Sequence, residues 1–342
     1  MKGLAKLARG HGNVGLMDAA EPSAMPGHVV IEVAACGVCG TDIHIHDDEF
    51  PTVPPVIMGH ELAGIVADIG EGVTRCAPGD RVTSETYFHV CGSCDHCRDG
   101  RPNLCAERKS IGSGVNGAFA RYVLVPEQNV HALPDGLTLE AGALTEPLAC
   151  CVHAVEMTKL EPSDVAVISG PGAIGLLTSQ VVNAAGATTV VLGTSADERR
   201  LAVARSLGAD HTLNVDEIDP APVVRDMTGG YGADIVFECS GSAPSAATCL
   251  DLVRRSGRYA QVGLFGKPIA WDLEQVCYKE LAVSGSNATV PSAWRKALSL
   301  MRDGKVDTAA LISDRFALDD WRQAFDVFAA RSGLKTLLDP QA

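Results

Sequence analysis

The stretch from Val165 to Ala196 contains no charged residue, and it constrains the fold more than any other part of the chain. A run of that length is either a membrane span or buried protein interior. Gly170-Pro171-Gly172 and Gly186 interrupt it, and Asn, Gln, Ser and Thr are scattered through it, which suits a span poorly. It divides better into an apolar strand Val165-Ala166-Val167-Ile168-Ser169, a turn, a helical run from Leu176 to Ala185 closed by Gly186, and a second strand from Thr188 to Leu192. The turn reads Gly170-Pro171-Gly172-Ala173-Ile174-Gly175. With G-x-G-x-x-G between a strand and a helix, backbone N–H groups and the helix N-terminus can approach a pyrophosphate. The competing explanation is a glycine-rich turn selected only for tight helix–strand packing.

The alternation continues after this unit. Arg199 to Gly208 reads as a helix, and Ala233–Cys239, Arg258–Gly263 and Ala282–Gly285 read as strands. Strands alternating with helices predict an α/β fold with a doubly wound parallel sheet. Before it, residues 1 to about 88 are β-rich, with strands at Val29–Ala35, Leu62–Gly70 and from Arg81, and a turn at Pro78-Gly79-Asp80. That texture predicts a small β-barrel or sandwich. The tail offers helices at Ser292–Arg302 and Leu318–Ala330 and a strand Lys335–Leu338, expected to return to the first domain. The chain of 342 residues has room for two medium domains. The expected boundaries are 1–150, 151–285 and a returning 286–342.

The balance of 28 Lys and Arg against 42 Asp and Glu gives a net charge of −14. That excludes the basic footprint a nucleic-acid partner requires. No apolar leader with a small-residue cleavage site is visible, so a cytoplasmic location with no membrane association is expected. The 12 cysteines then read as reduced, and as metal ligands where they cluster. Cys91, Cys94, Cys97 and Cys105 are spaced C-x₂-C-x₂-C-x₇-C. Four thiolates at that spacing match a closed, tetrahedral structural zinc site. A redox CxxC pair is a weaker reading, and spacing alone leaves an iron–sulfur cluster open.

A second candidate metal site lies between Cys39 and Glu61. Gly37-Val38-Cys39-Gly40-Thr41-Asp42-Ile43-His44 opens it and Gly59-His60-Glu61 closes it. A thiolate at 39 and an imidazole at 60 are good Zn²⁺ ligands. Asp42 and Glu61 either ligate or orient the ligating imidazole. Thr41 and His44 supply a hydroxyl and a second imidazole suited to moving a proton near a metal-bound oxygen.

In combination and order these motifs resemble the zinc-containing medium-chain dehydrogenases, the alcohol, sorbitol and threonine dehydrogenase superfamily. The resemblance spans nearly the whole chain: a GroES-like β-barrel catalytic domain, the four-cysteine lobe at about 89–106, and a Rossmann domain. It implies that Cys39 and His60 bind a catalytic zinc, with Glu61 a ligand or one that exchanges with water. Thr145-Glu146-Pro147-Leu148 falls where alcohol dehydrogenases place a third-ligand Cys. A Glu there resembles the polyol and threonine branch, with Glu146 ligating directly or through water. Asp42 is expected to hydrogen-bond His60, the alternative being a simple loop cap. Thr41 would take the alcohol proton and pass it, through the cofactor ribose, to His44. Cys91, Cys94, Cys97 and Cys105 would hold a structural zinc, making two Zn²⁺ per chain.

The implied reaction is interconversion of a secondary alcohol, polyol-like, and a ketone. An amino-alcohol substrate, as in threonine dehydrogenases, is the alternative within the family. A zinc-free quinone reductase would lack Cys39, His60 and the cysteine lobe, and a non-enzymatic zinc ribbon would lack the cofactor turn. His46, His89 and His96 are expected at the surface, and His153 in the core or lining the substrate. Cys150 and Cys151 are expected beneath the nicotinamide. The family suggests a homo-oligomer, dimer or tetramer.

The cofactor, NAD or NADP, depends on the end of the second Rossmann strand, where NAD-specific domains place an acid on the ribose 2′-OH. Family spacing puts that position at Thr194. Thr194 and Ser195 could donate hydrogen bonds to a 2′-phosphate, and Arg199 and Arg200 follow with guanidinium groups suited to it. The reading therefore leans to NADP. Asp197 is the residue that would favour NAD if it reached the ribose.

Overall fold

In the strand His28–Gly37, Val29, Val30, Ile31 and Val33 are all buried, and the first half of the molecule is laid out around it. The strand pairs antiparallel with Glu61–Ile69, Tyr122–Pro126 and Lys335–Asp339. The sheet runs Val130–Ala132, Arg81–Ser84, Glu61–Ile69, His28–Gly37, Lys335–Asp339, Ile312–Ala317, with Tyr122–Pro126 off this path. A second sheet orders Val14–Asp18, Lys2–Lys6 and Val56–Ile57. Leu4, Ile31, Ile45, Met58, Leu62 and Phe119 are among the fully buried side chains of the core these sheets share. The computed structural model covers residues 1–342. This first unit comprises Met1–Glu146, Thr289–Arg302 and Thr308–Ala342, and the second comprises Pro147–Ala288 with Asp303–Asp307.

The second unit is a six-stranded, wholly parallel sheet. Its order is His211–Asn214, Thr188–Gly193, Val165–Ser169, Ala233–Glu238, Val253–Gln261, Ala282–Gly285. In sequence order that is 3-2-1-4-5-6, the Rossmann arrangement. All five residues of Val165–Ser169 are buried. Successive side chains point to opposite faces, so both faces of this strand are covered.

The helix after the glycine turn begins at Ala173, earlier than the expected Leu176, with Gly172 as its N-cap, and it ends at Ala184. Gly186 follows with φ +87°, a left-handed conformation that glycine adopts at little cost. With only 12 residues in that helix, the charge-free stretch contains no span. No helix of the molecule is long and apolar enough to cross a membrane. The expected single helix at Leu318–Ala330 is a 3₁₀ turn, Leu318–Asp320, followed by a helix, Trp321–Ala329. Among the helices the sequence reading did not predict, two carry candidate site residues: Gly40–His46 and Thr145–Met157. The division between the units falls between Glu146 and Pro147, inside the second of these.

Candidate active site

The antiparallel pairing that sets Gly37 opposite Glu61 brings the two halves of the zinc stretch together. Cys39 lies just past the end of one strand and His60 just before the start of the other. The Cys39 thiol, a His60 ring nitrogen and a Glu61 carboxylate oxygen all lie within 4.8 Å of one another. Cys39 is also the N-cap of the helix Gly40–His46, with extended backbone (φ −112°, ψ 157°). Its N–H donates to Asp42 Oδ2 at 2.9 Å, the reciprocal bond of a capping box. Thr41 and His44 lie on the same short helix, three residues apart and therefore on one side of it.

The expected Asp42–His60 hydrogen bond is not made. Asp42 Oδ1 stands 3.9 Å from His60 Nδ1, beyond hydrogen-bond range. Asp42 is drawn instead to the cap, and its fully buried Oδ1 has no hydrogen-bond partner. It acts on His60 through charge.

Anions dominate the surroundings. Asp42, Glu61 and Glu146 are buried here at 0%, 1% and 6% exposure. Burial raises the Asp42 carboxyl above the usual range, against the pull of His60 and the Cys39 N–H. Burial alone would lower His60, but the Cys39 thiolate, Asp42 and Glu146 outweigh it and hold the imidazole well above its ordinary range. A divalent cation satisfies this excess of buried negative charge, and the thiolate, imidazole and carboxylate donors suit Zn²⁺.

Lys335 is the residue that sequence reasoning missed. Its Nζ forms an ion pair with Glu61 Oε2 and donates to the Val38 carbonyl at 2.9 Å. Burial would lower its pKa, but Glu61 and Cys39 raise it, so the lysine is charged. The available signal was a lysine opening a short strand that carries Leu337 and Leu338, Lys335–Asp339: a buried ammonium requires a partner.

Cys91, Cys94, Cys97 and Cys105 also converge within 4.8 Å. Cys91 Sγ is 4.0 Å from Cys97 Sγ and 3.6 Å from Cys105 Sγ. A tetrahedron with Zn–S arms of ~2.3 Å has edges of ~3.8 Å, so one ion fits. These separations are too long for disulfides and too short for a multi-iron cluster. Backbone donors prepare the sulfurs: Cys94 N–H reaches Cys91 Sγ at 3.3 Å, and Cys91 N–H reaches Cys105 Sγ at 3.4 Å. Donation from Ser93 and Cys94 lowers the Cys91 thiol to about 6.

In the second unit, Gly170 to Gly175 join the end of the first strand to the helix Ala173–Ala184. A Cβ at Gly175 would collide with the Gly170 carbonyl oxygen, whereas one at Gly172 would meet nothing within 4 Å. The turn thus closes tightly on itself and leaves open space above Gly172, as an approaching pyrophosphate requires. Ala173 and Ile174 form the first helical turn, and the buried Cys151 thiol donates to the Ile174 carbonyl at 3.3 Å. Cys150 is half-buried and His153 buried. Across the switch point between the first and fourth strands, Glu238 is fully buried. It accepts from Ser240 N–H (3.0 Å), Ser245 Oγ (2.8 Å) and Gln261 Nε2 (2.7 Å), fixing the loops around the turn.

Thr194 and Ser195 are exposed after the second strand, and Arg199 is exposed on the next helix. Asp197 Oδ2 accepts from Thr194 N–H at 3.1 Å and from Thr194 Oγ1 at 2.8 Å. Its Oδ1 faces Arg200 at 3.4 Å. His89 and His96 are exposed, whereas His46 is half-buried.

A GroES-like sheet carrying a thiolate–imidazole–carboxylate centre, joined to a Rossmann unit, defines a zinc-dependent dehydrogenase. Residues 25–135 match the family described as "Alcohol dehydrogenase GroES-like domain", and 173–303 match "Zinc-binding dehydrogenase". The chain is 41% identical over 341 residues to a sorbitol dehydrogenase of Halalkalibacterium halodurans, covering 99% of each. It is also 41% identical over 343 residues to a D-arabitol-phosphate dehydrogenase of Enterococcus avium, covering 99% of this chain and 97% of that one. The structure of a zinc-binding dehydrogenase from Sinorhizobium meliloti 1021, bound to NADP, superposes with a TM-score of 0.89 at 33% identity over 99% of both chains. The chain belongs to the zinc-binding alcohol dehydrogenase family.

Proposed function

We propose that the protein interconverts a secondary alcohol of a polyol and the corresponding ketone, with Zn²⁺ held by Cys39, His60 and Glu61. The convergence of these three side chains beside buried carboxylates carries the reading. Bound there, Zn²⁺ supplies Lewis acidity toward the alcohol oxygen, and the nicotinamide accepts the hydride. Lys335 balances Glu61, and Glu146, outside the convergent trio, acts on the site through water. Cys91, Cys94, Cys97 and Cys105 hold the structural ion. Both relatives at 41% identity are named for polyols or their phosphates, which supports a polyol ahead of an amino alcohol. The test is kcat/KM across sorbitol, arabitol, arabitol phosphate, L-threonine and simple alcohols. L-threonine turned over faster than every polyol would overturn the choice.

Thr41 accepts the alcohol proton and His44 delivers it to solvent. Glu49 Oε2 holds His44 Nδ1 at 2.7 Å, so Nδ1 carries the proton and Nε2 is free to accept one. His44→Ala is expected to slow oxidation about 10²-fold near neutral pH. Added imidazole or higher pH should restore part of it. A pH–rate profile unmoved by the substitution would place the proton path elsewhere.

The cofactor preference proposed is NADP. No acid stands at Thr194, and the Asp197 carboxylate is occupied by Thr194 and Arg200. Arg199 remains exposed on the following helix. Thr194→Asp should set a carboxylate against the 2′-phosphate and shift the kcat/KM ratio toward NAD by about tenfold or more. A wild type strongly preferring NAD, unmoved by Thr194→Asp, would show that this loop does not set the choice.

The edge strand Ala282–Gly285 exposes Val283 at 45%, near exposed Leu273 and Tyr278 at 66% and 65%. An apolar, unpaired sheet edge supports assembly into a homo-oligomer. A cytoplasmic location completes the proposal.

A further inference from the structure

We propose that His11, His46 and Asp47 form a third divalent-metal site, taking a first-row cation of the Zn²⁺ type on two imidazoles and one carboxylate. His46 is the last residue of the helix Gly40–His46, and Asp47 is its C-cap. His11 lies in the connection between the strands Lys2–Lys6 and Val14–Asp18. One ligand atom from each residue falls within a 4.8 Å cluster. His11 Nδ1 is 3.2 Å from Asp47 Oδ1, and His46 Nδ1 is 2.7 Å from the same oxygen. The two rings meet edge to face, with centroids 5.0 Å apart at 79°. Both ring nitrogens therefore face the same carboxylate oxygen, and the three ligand atoms form one cluster. A tetrahedral ion with arms of ~2.0–2.2 Å sets neighbouring ligand atoms ~3.3–3.6 Å apart, so the His11 pair fits as it stands and the 2.7 Å His46–Asp47 pair opens by under ~1 Å on binding.

The scaffold fixes this geometry without any ion. Gly12 N–H donates to the His46 carbonyl at 2.9 Å. The fully buried Lys6 donates from Nζ to the Gly10 carbonyl at 2.6 Å and to the His46 carbonyl at 3.2 Å. Arg9 pairs with Asp48 Oδ1 at 2.9 Å. The His11 loop is thus tied to the end of the helix at several points, so little ordering remains for an ion to impose. Two nitrogens and one oxygen suit Zn²⁺, Ni²⁺ or Cu²⁺, whereas Ca²⁺ and Mg²⁺ require oxygen shells. Part of the shell opens to solvent, since the His11 side chain is 74% exposed, and waters complete it. The site shares no residue with the Cys39 centre or the cysteine lobe. An ion there clips the loop to the helix that carries Thr41 and His44.

The competing account is that Asp47 accepts hydrogen bonds from two neutral imidazoles and no ion binds. Untagged, zinc-loaded protein equilibrated at micromolar free Zn²⁺ separates the two. The wild type should bind one more equivalent of Zn²⁺ per chain than His11→Ala or Asp47→Asn, by elemental analysis after equilibrium dialysis. Ni²⁺ titrated into the same protein should bind at one site in the wild type and at none in His11→Ala. Because His11 is exposed, circular dichroism without added ion should be unchanged in its variant. The readout is a difference between variants, so it stands whether or not the Cys39 centre binds zinc. Equal zinc content in wild type and both variants would overturn the site.

Discussion

Cys39→Ser is expected to abolish alcohol oxidation while leaving the fold close to intact. The substitution replaces a thiolate at the point where Cys39, His60 and Glu61 converge with a neutral hydroxyl, a far weaker Zn²⁺ donor at neutral pH. Loss of Lewis-acid stabilisation worth several kcal/mol lowers kcat by about 10³-fold or more. Stability should fall little, because the surrounding sheet and the core around Ile31, Leu62 and Phe119 do not depend on the ion. Cys105→Ser should reverse the pattern. The lobe helix Asp95–Arg98 has no buried residue, so the lobe has little apolar core of its own and depends on a closed metal site for its folding energy. Thermal unfolding and steady-state kinetics on both variants check the contrast. Wild-type kcat in zinc-saturated Cys39→Ser would remove the metal from the reaction.

Lys335→Met carries the largest expected stability effect. Lys335 and Glu61 are paired with side-chain exposures of 4% and 1%. Removing one partner of a buried pair leaves the other charge uncompensated, at a cost of about 3–5 kcal/mol. The loss should be smaller in zinc-loaded protein than after chelation, because a bound cation also neutralises Glu61. Denaturant unfolding of both forms measures this. An equal loss in the two forms would show that Glu61 does not face the ion.

What was legible in the sequence was what sits close together in it. The cysteine lobe, the Gly170–Gly175 turn and the strand–helix alternation are local patterns, and each reported its own geometry. Cys39 and His60 were expected together because the resemblance to zinc-containing dehydrogenases pairs them, and the structure brings their ligand atoms within 4.8 Å of each other. Lys335 was not, because the Val38 carbonyl to which it donates lies 297 positions away in the chain, and only strand pairing joins them. Asp42 was assigned a hydrogen bond to His60. Capping competed for the same carboxylate, and the helix that needs the cap is too short to show a periodic signal. His46 was expected at the surface because nothing in the sequence places His11 beside it. Asp197 illustrates the remaining gap: its carboxylate closes its own loop through 2.8 Å and 3.1 Å contacts to Thr194, which residue types do not encode.

The most direct test is nicotinamide reduction by the zinc-loaded protein with a polyol such as sorbitol, before chelation, after chelation and after Zn²⁺ is restored. Absorbance of reduced cofactor should rise, stop after chelation and return with Zn²⁺. Folded, zinc-loaded protein that reduces neither NAD nor NADP with any polyol or secondary alcohol would contradict the assignment.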